Sequence, residues 1–151
     1  MTPLTGSPDN FALESAALFA YGPLAFPEVM QVLLARVPAS ATASAPGWRI
    51  VAVPGHIQAV MVKAEAVARG RVISDLSNAD WRLLAAFQIG CELRLLNLTD
   101  GSTAWSHVCT DQRQASADDW DADHFERAGF VTYLKSCAEW RGQYQVRTDE
   151  S

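Results

Sequence analysis

The sequence of 151 residues has few cysteines, little positive charge and no long apolar run. Its three cysteines (Cys91, Cys109 and Cys137) are widely spaced and form no Cys-x-x-Cys pair, so we expect reduced thiols and no disulfide framework. Twelve Lys and Arg against 17 Asp and Glu give a net charge of −5, which argues against nucleic acid or an anionic membrane surface as a partner. No stretch reaches the roughly 18 apolar residues that a membrane span needs.

The N-terminal residues lack the charged and apolar segments of a secretory signal, so the sequence predicts a cytoplasmic protein. Apolar residues make up 49% of the chain and charged residues 19%, a composition that favours one folded domain. We place this domain at residues 14–142, between a flexible leader at 1–13 and a polar tail at 143–151. The alanine-rich composition favours a bacterial source. Neither a Gly-rich phosphate loop nor a metal-ligand spacing is present, so we expect no cofactor and no metal.

The hydrophobic pattern predicts a mixed order of strands and helices. Strands are expected at 16–21, 47–53, 59–62, 68–73, 92–98 and 103–109, with a turn at 63–66 and with 40–46 open as strand or loop. Helices are expected at 26–38, from a Ser77-x-x-Asp80 capping box to Phe87, and from Asp118 or Asp119 to Trp140. The last helix carries a predicted core stripe of Phe125, Ala128, Val131, Leu134 and Ala138. This order predicts an α+β domain, in which an antiparallel-rich sheet or small mixed β-barrel is flanked by helices.

Two segments of the chain carry a family resemblance. Residues 18–24 read Leu-Phe-Ala-Tyr-Gly-Pro-Leu, an apolar strand that runs into a Tyr-Gly turn, and residues 84–90 read Leu-Ala-Ala-Phe-Gln-Ile-Gly. Together they resemble the two signature motifs of the gamma-glutamylcyclotransferase-like superfamily, including its plant avirulence-induced-gene-like branch. In that superfamily the first motif reads roughly Tyr-Gly-(Ser/Thr)-Leu and the second Leu-Asp-x-(Tyr/Phe)-Glu-Gly.

The resemblance extends over most of the chain, from Ala17 to Trp140, and implies both a fold and a chemistry. Family members form a mixed barrel flanked by helices. Backbone N–H groups of their Tyr-Gly turn hold a gamma-glutamyl group, and a glutamate deprotonates the alpha-amine that attacks the gamma-carbonyl, which releases 5-oxoproline. By this resemblance the substrate-binding residues here are Tyr21, Gly22, Pro23, Leu24 and Phe87, and no cofactor is needed.

The chain departs from the family pattern where the chemistry should be. The catalytic glutamate of the family falls on Gln88, and an amide cannot act as a general base near neutral pH. Pro23 stands where the family has Ser or Thr, which removes a backbone donor and a hydroxyl from the turn. Ala85 and Ile89 replace an Asp and a Gly and make this region more apolar. The resemblance therefore predicts the family scaffold without ordinary cyclotransferase activity.

Glu92 and His56 are the other candidate catalytic residues. Glu92 lies four residues beyond Gln88, although a solvated strand carboxylate is the simpler role for it. His56 has the reference pKa of ~6.5 that suits a base near neutral pH, although a loop histidine that faces solvent is the simpler interpretation. His107 lies on a predicted strand and is expected to pack.

Two functions stay open from the sequence. The first is a diverged small-molecule enzyme, in which the Tyr21–Gly22 turn holds a carbonyl or carboxylate and Gln88 orients the substrate. A cyclisation or acyl-type step in bacterial specialised metabolism would fit the apolar replacements. The second is a catalytically silent module that binds a ligand or a partner protein on the same fold. We favour the enzyme, with a small molecule as its ligand, and self-association into a homo-oligomer stays open.

Overall fold

The computed structural model of this chain describes residues 16–52, 59–88, 91–109 and 119–150. The predicted leader, His56, Ile89 and the predicted cap Asp118 lie outside these ranges. Within them, five strands form one sheet: β1 (Leu18–Ala20), β2 (Ser40–Ala52), β3 (Ala59–Ile73), β4 (Cys91–Asn97) and β5 (Thr103–Cys109). The helices are α1 (Pro27–Leu34), α2 (Asn78–Phe87), α3 (Ala122–Ala128) and α4 (Phe130–Glu150), with a 3₁₀ helix at Gly22–Ala25. The predicted α+β class is confirmed.

The sheet is mostly antiparallel and curls on itself. Its strand order is β2-β3-β1-β5-β4, and only the β1–β5 pair, in register at Leu18 and Trp105, is parallel. The two edges of the sheet approach each other, because the N–H of Thr99, just after β4, donates to the carbonyl of Ser44 in β2 at 3.0 Å. The sheet is therefore bent toward the small mixed barrel that the sequence predicts.

The two faces of the curled sheet carry two hydrophobic clusters. Leu18 and Ala20 belong to one cluster and Phe19 and Tyr21 to the other, as expected when successive strand side chains point to opposite faces. We term the first the helix-side cluster, because it joins strands to helices; its members include Val29, Leu33, Trp81, Leu84, Phe125, Tyr133 and Cys137. We term the second the inner cluster; its members include Ala45, Trp48, Met61, Ala68, Leu96, Leu98, Ala104 and Val108.

Strands β2 and β3 form a hairpin that is longer than predicted. The turn predicted at residues 63–66 is wrong, because β3 runs unbroken and Lys63 pairs with Trp48 of β2. Lys, Glu and Ala have low strand propensity, but β3 pairs with β2 on both sides of an irregularity between Pro46 and Trp48, and this pairing outweighs the local preference. The Lys63 ammonium also lies 6.0 Å from the centroid of the Trp48 ring. Residues 40–46, open as strand or loop in the sequence, belong to β2.

Local signals set the start of α2 and the turn between β4 and β5. The hydroxyl of Ser77 accepts the N–H of Asp80, and the Asp80 carboxylate accepts the N–H of Ser77, each at 3.1 Å. This is the predicted capping box, which satisfies two backbone donors at the helix N-terminus. The predicted hairpin around Asp100 and Gly101 is also present, since Asn97 pairs with Thr103 across it.

The C-terminal helical region starts later than predicted and is divided in two. Asp121, and not Asp119, caps α3, because its carboxylate accepts the N–H groups of Asp123 and His124 at 2.9 and 3.2 Å. Asp119 instead pairs with β2. The helix α3 ends at Gly129, whose N–H closes the last turn, and α4 starts at the next residue.

This interruption changes which residues of α4 face the core. Phe125 and Leu134 contact the helix-side cluster as predicted, but the other members of the predicted stripe are exposed: Ala128, Val131 and Ala138. Tyr133 and Cys137 are buried instead, because α4 begins in a new rotational phase. The helix continues past Trp140 to Glu150. None of the helices in the described part of the chain is both long and apolar enough to cross a membrane.

Candidate functional site

The sheet topology brings the two motif segments to the same end of the sheet. Strands β1 and β5 are parallel, with Leu18 beside Trp105. Tyr21, just after β1, therefore lies near the end of β5 at Cys109. Because β4 is antiparallel to β5, its first residue, Cys91, pairs with Cys109, and Gln88 precedes β4 by three residues. The start of β3 also lies here, since Gly22 approaches Ala59 closely. We term this region the turn end.

The Tyr-Gly turn is a buried and rigid corner. Tyr21 is 5% exposed, and its hydroxyl donates to the backbone carbonyl of His107 at 2.5 Å. Gly22 has a φ of +62°, and a β-carbon on it would lie only 2.9 Å from the Cβ of Ala59. Both the left-handed backbone and the close approach require glycine at this position. The tyrosine and the glycine of the motif therefore serve the packing of the corner directly.

Pro23 follows in the first turn of the 3₁₀ helix. A fixed φ and a missing N–H are tolerated there, because the first N–H groups of a helix have no partner within it. The carbonyl of Pro23 accepts the N–H of Phe26 at 3.1 Å, and the side chain of Leu24 is buried in the helix-side cluster. The N–H and hydroxyl that a Ser or Thr would offer to a ligand at this position are thus absent.

Gln88 lies at the C-terminal end of α2, where its backbone is held on both sides. Its N–H closes the last turn of the helix at 3.0 Å, and its carbonyl accepts the N–H of Cys91 at 3.2 Å. The side chain is half-buried. The preceding Phe87 is anchored by edge-on contacts to Trp140 and Tyr133, with ring centroids 5.0 and 6.5 Å away. The backbone of Gln88, the residue at the predicted base position, is therefore held in place.

Tyr21 and Phe87 lie on different faces of the sheet, although both motifs reach the turn end. Tyr21 belongs to the inner cluster, and Phe87 packs against the helix-side cluster. None of the cavities that we find among the described residues is lined by both the turn and Gln88. Residues 53–58, which include His56, and residues 89–90 lie outside the described part of the chain. A common pocket for the turn and Gln88 therefore stays a prediction.

Glu92, the second candidate base, lies on β4 in an ion pair. Its carboxylate is 2.7 Å from a guanidinium nitrogen of Arg94, and the side chains are 41% and 49% exposed. Strand alternation places Glu92 on the same face as Leu96 of the inner cluster. The structure thus gives Glu92 an exposed position with a positive partner close to the turn end.

His107 is a buried residue of the turn end for which the sequence indicated only packing. Its side chain is 4% exposed, and Nε2 has no hydrogen-bond partner in the described part of the chain. Burial lowers the pKa of the imidazole to about 4, because the charged form cannot be solvated there. The side chain is therefore neutral at physiological pH, while its backbone carbonyl anchors Tyr21.

Two cavities flank Trp120. One has a volume of about 420 Å³ and lies between the β2–β3 hairpin and the start of α3; its lining includes Arg49, Ile50, Val67, Ala68 and Arg69. The other has a volume of about 360 Å³; its lining includes Ala52, Asp121, His124, Phe125 and Gly129. Asp119 and Trp120 border both cavities.

The segment between the two cavities is clamped onto β2. The guanidinium of Arg49 donates to the carboxylate of Asp119 at 2.5 Å, and the N–H of Trp120 donates to the carbonyl of Ile50 at 3.1 Å. Among the side chains that the structure describes, no three His, Cys, Asp or Glu residues are close enough together to bind a metal ion.

Comparisons with solved structures show the same fold in proteins from Arabidopsis thaliana and Homo sapiens. A solution structure of At5g39720.1 from Arabidopsis thaliana is 19% identical, with a TM-score of 0.61 over 85% of this chain and 92% of that one. A solution structure of At3g28950.1, also from Arabidopsis thaliana, is 16% identical, with a TM-score of 0.62 over 99% and 92%. The uncharacterized protein loc79017 from Homo sapiens is 13% identical, with a TM-score of 0.53 over 82% and 86%. At these identities the likeness extends to the fold alone.

No curated protein matches this chain. A family model does match it, under the description "Gamma-glutamyl cyclotransferase, AIG2-like", over residues 18–122. The matched range includes the Tyr-Gly turn, the segment around Gln88 and every strand of the sheet. Because this match covers well over half of the sequence and the solved structures share the fold, the chain belongs to the gamma-glutamyl cyclotransferase, AIG2-like family.

Proposed function

We propose that this chain is a diverged family member that acts on a small molecule and lacks ordinary gamma-glutamyl cyclotransferase activity. The observation that carries the proposal is the amide of Gln88 at the position that the motif gives to the family's base. An amide cannot take the proton of an alpha-amine, and general-base catalysis typically supplies a factor of ~10²–10⁴. Gln88 can still donate and accept hydrogen bonds, so its role is to orient a substrate.

The rigid Tyr-Gly corner gives a second reason to expect altered chemistry. Pro23 is buried in the 3₁₀ helix and offers no N–H, so the corner has fewer donors for the carboxylate or carbonyl of a gamma-glutamyl group. Ala85, one of the apolar replacements, is exposed on α2 and so does not add to a buried apolar pocket. Of the two apolar replacements near Gln88, Ile89 is therefore the one on which a preference for apolar substrates rests. A cyclisation or acyl-type step on a less polar substrate, in bacterial specialised metabolism, is the reaction that we favour.

The test is 5-oxoproline release from gamma-glutamyl-alanine. We expect the wild-type chain to stay close to background. Gln88→Glu alone should restore little, because the substrate is still poorly held by a corner that contains Pro23. Gln88→Glu combined with Pro23→Ser and Ile89→Gly should do better, since orientation and base act together.

Gln31→Glu is the matched control, because it makes the same charge change at an exposed position of α1. It should leave release at background. Robust turnover by the wild-type chain would contradict the proposal. Glu92 and His56 would then be the first residues to mutate as displaced bases.

The alternative is a catalytically silent binding module. The two cavities beside Trp120 favour it, because neither is lined by Gln88, Glu92 or the Tyr-Gly corner. Thermal-shift measurements with gamma-glutamyl amines and with apolar acids would separate the two functions. We expect apolar acids to be preferred by roughly 1–3 kcal/mol. Binding of such acids without turnover of any of them would favour the module, and a preference for glutamyl compounds would argue against a diverged site.

A further inference from the structure

The larger cavity beside Trp120 is an apolar groove that opens to solvent; we term it the Trp120 groove. Its floor is formed by residues of β2 and β3, namely Ile50, Ala66, Val67 and Ala68, of which Ala68 buries its side chain in the inner cluster. Val67 is 52% exposed, although an apolar side chain of this size is usually buried. Half-buried Trp120 forms one wall. The volume of about 420 Å³ is in the range of small-molecule sites.

Two arginines add positive charge to this groove, but they are not equivalent. The guanidinium of Arg49 is paired with Asp119 at 2.5 Å and holds the Trp120 segment in place. Arg69 is exposed and makes neither an ion pair nor a hydrogen bond in the described part of the chain. Its neighbour Arg71, two residues along the same strand, donates to the hydroxyl of Ser40 at 2.8 Å. Arg69 is thus a positive charge at the edge of an apolar groove, and no residue that the structure describes pairs with it.

We propose that the Trp120 groove binds a small aromatic organic acid. The anionic group pairs with the guanidinium of Arg69, a fork of donors that matches a carboxylate. The flat apolar part lies against the Trp120 indole and the floor of the groove, where offset or edge-on aromatic contacts and burial add affinity. This site shares no residue with the turn end, so it goes beyond the proposed function and does not depend on it.

The sign of the ligand charge follows from the two sides of Trp120. Arg69 lies on the hairpin side, where Asp119 is already paired with Arg49. Asp121 and His124 lie on the α3 side, in the other cavity, and Asp121 is engaged in capping α3. An acid therefore finds the positive charge of Arg69 in the Trp120 groove, whereas an amine would find it repulsive there.

The test compares three probes of one shape: 2-naphthoate, 2-naphthylmethanol and 2-naphthylmethylammonium. Isothermal titration calorimetry gives the affinities, and ¹⁵N–¹H spectra with the Trp120 indole N–H assigned locate the site. We expect 2-naphthoate to bind about tenfold more tightly than the alcohol, because it gains one charge-assisted pair at a partly exposed site. The ammonium probe should bind most weakly, and the Trp120 resonance should shift with the acid.

Three variants test whether Arg69 is the residue that pairs with the anionic group of the probe. Arg69→Gln should weaken 2-naphthoate about tenfold and leave the alcohol unchanged, which removes the preference for the acid. Arg71→Gln is the matched control, since it removes the same charge from the same strand outside the groove; it should change the affinity by less than about twofold. Val67→Asp places a negative charge on the floor at an exposed position, so the fold is retained and acid binding should again fall.

Three results would overturn the proposal. The first is an acid that binds no better than the alcohol. The second is an equal loss of affinity in Arg69→Gln and Arg71→Gln, which would reflect diffuse surface charge. The third is a set of shifted resonances that excludes Trp120 and the β2–β3 residues. None of them would bear on 5-oxoproline release or on Gln88, so failure here is distinguishable from failure of the proposed function.

Discussion

The inner and helix-side clusters share one sheet but are packed in different ways. The inner cluster depends on close backbone approach. A β-carbon on Gly70 would lie 2.2 Å from the backbone carbonyl oxygen of Ala20, and the hydroxyl of Ser106 donates to the carbonyl of Phe19 at 2.8 Å. Such contacts leave no room for an added atom, because the groups involved are main chain and cannot turn aside.

The helix-side cluster depends on contacts between large rings. Phe125 lies at its centre, with ring centroids 5.3 Å from Phe26, 5.5 Å from Trp120, 5.7 Å from Phe130 and 5.5 Å from Tyr133. Rings of this kind can shift by small amounts but leave a large cavity when one is removed. The inner cluster therefore fixes the backbone of the turn end, and the helix-side cluster fixes the helices around it.

The largest effect that we expect comes from adding one carbon to the inner cluster. Gly70→Ala should destabilise the fold by at least about 3 kcal/mol, because the new β-carbon overlaps the carbonyl of Ala20. Gly142→Ala is the control: its β-carbon meets nothing within 4 Å, and alanine favours a helix by up to about 1 kcal/mol. Urea unfolding of both variants measures the difference. Equal stabilities for the two variants would contradict the close approach of β3 and β1.

The next effect comes from removing a ring from the helix-side cluster. Phe125→Ala should cost about 3–4 kcal/mol, because four aromatic neighbours lose their common contact. Val131→Ala should change the free energy of unfolding by less than about 0.5 kcal/mol, since Val131 is 65% exposed. Chemical unfolding at one temperature compares them. A large loss of stability in Val131→Ala would instead support the single uninterrupted helix, with Val131 in its core stripe, that the sequence pattern predicts.

His107 should make stability depend on pH. Its pKa is about 4 in the folded chain and ~6.5 when unfolded, so between these values the unfolded chain binds more protons. Stability is therefore full above about pH 6.5 and falls as the pH drops toward about 4, by up to about 3 kcal/mol. The measurement is the difference in unfolding free energy between the wild type and His107→Gln at pH 7.5, 5.5 and 4.5. A difference that stays constant with pH would show that His107 is solvated.

The smallest effect concerns the hydrogen bond that links the corner to β5. Tyr21→Phe removes the hydroxyl that donates to the carbonyl of His107 and should cost about 1 kcal/mol. The ring itself stays in the inner cluster, so the fold should be retained. Thermal unfolding measures the cost. No change at all would mean that water replaces the hydroxyl, and a loss as large as that of Phe125→Ala would mean that the corner depends on this bond for its packing.

Several parts of the fold could be predicted because their causes are local. The capping box of α2 needs only Ser77 and Asp80, and the turn between β4 and β5 needs only Asp100 and Gly101. The two motif segments likewise identified the family, although the importance of Gln88 rests on alignment with the family motif. Within the capping box, the turn and each motif segment, the decisive residues lie within a few positions of one another.

Other features required the folded chain. Strand β3 continues against local propensity because it pairs with β2 on both sides of an irregularity in the ladder, and the break at Gly129 sets the phase of α4 because Phe125 and Tyr133 must both reach one core. The burial of His107 depends in the same way on residues far from it in sequence. Strand propensities and periodic patterns describe a residue's near neighbours, so they do not report these pairings.

For the candidate sites too, some properties follow from the sequence and others only from the folded chain. The sequence by itself determined that a proline follows the Tyr-Gly pair, and it predicts that the amide of Gln88 stands at the family's base position. Only the tertiary structure decided that Tyr21 and Phe87 pack on opposite faces of the sheet, and that Arg69 lies beside the Trp120 groove with no partner among residues 16–52, 59–88, 91–109 and 119–150. Residue type fixes the chemistry that a side chain can perform, whereas burial and charge pairing arise from contacts between distant segments, which exist only once the sheet has curled.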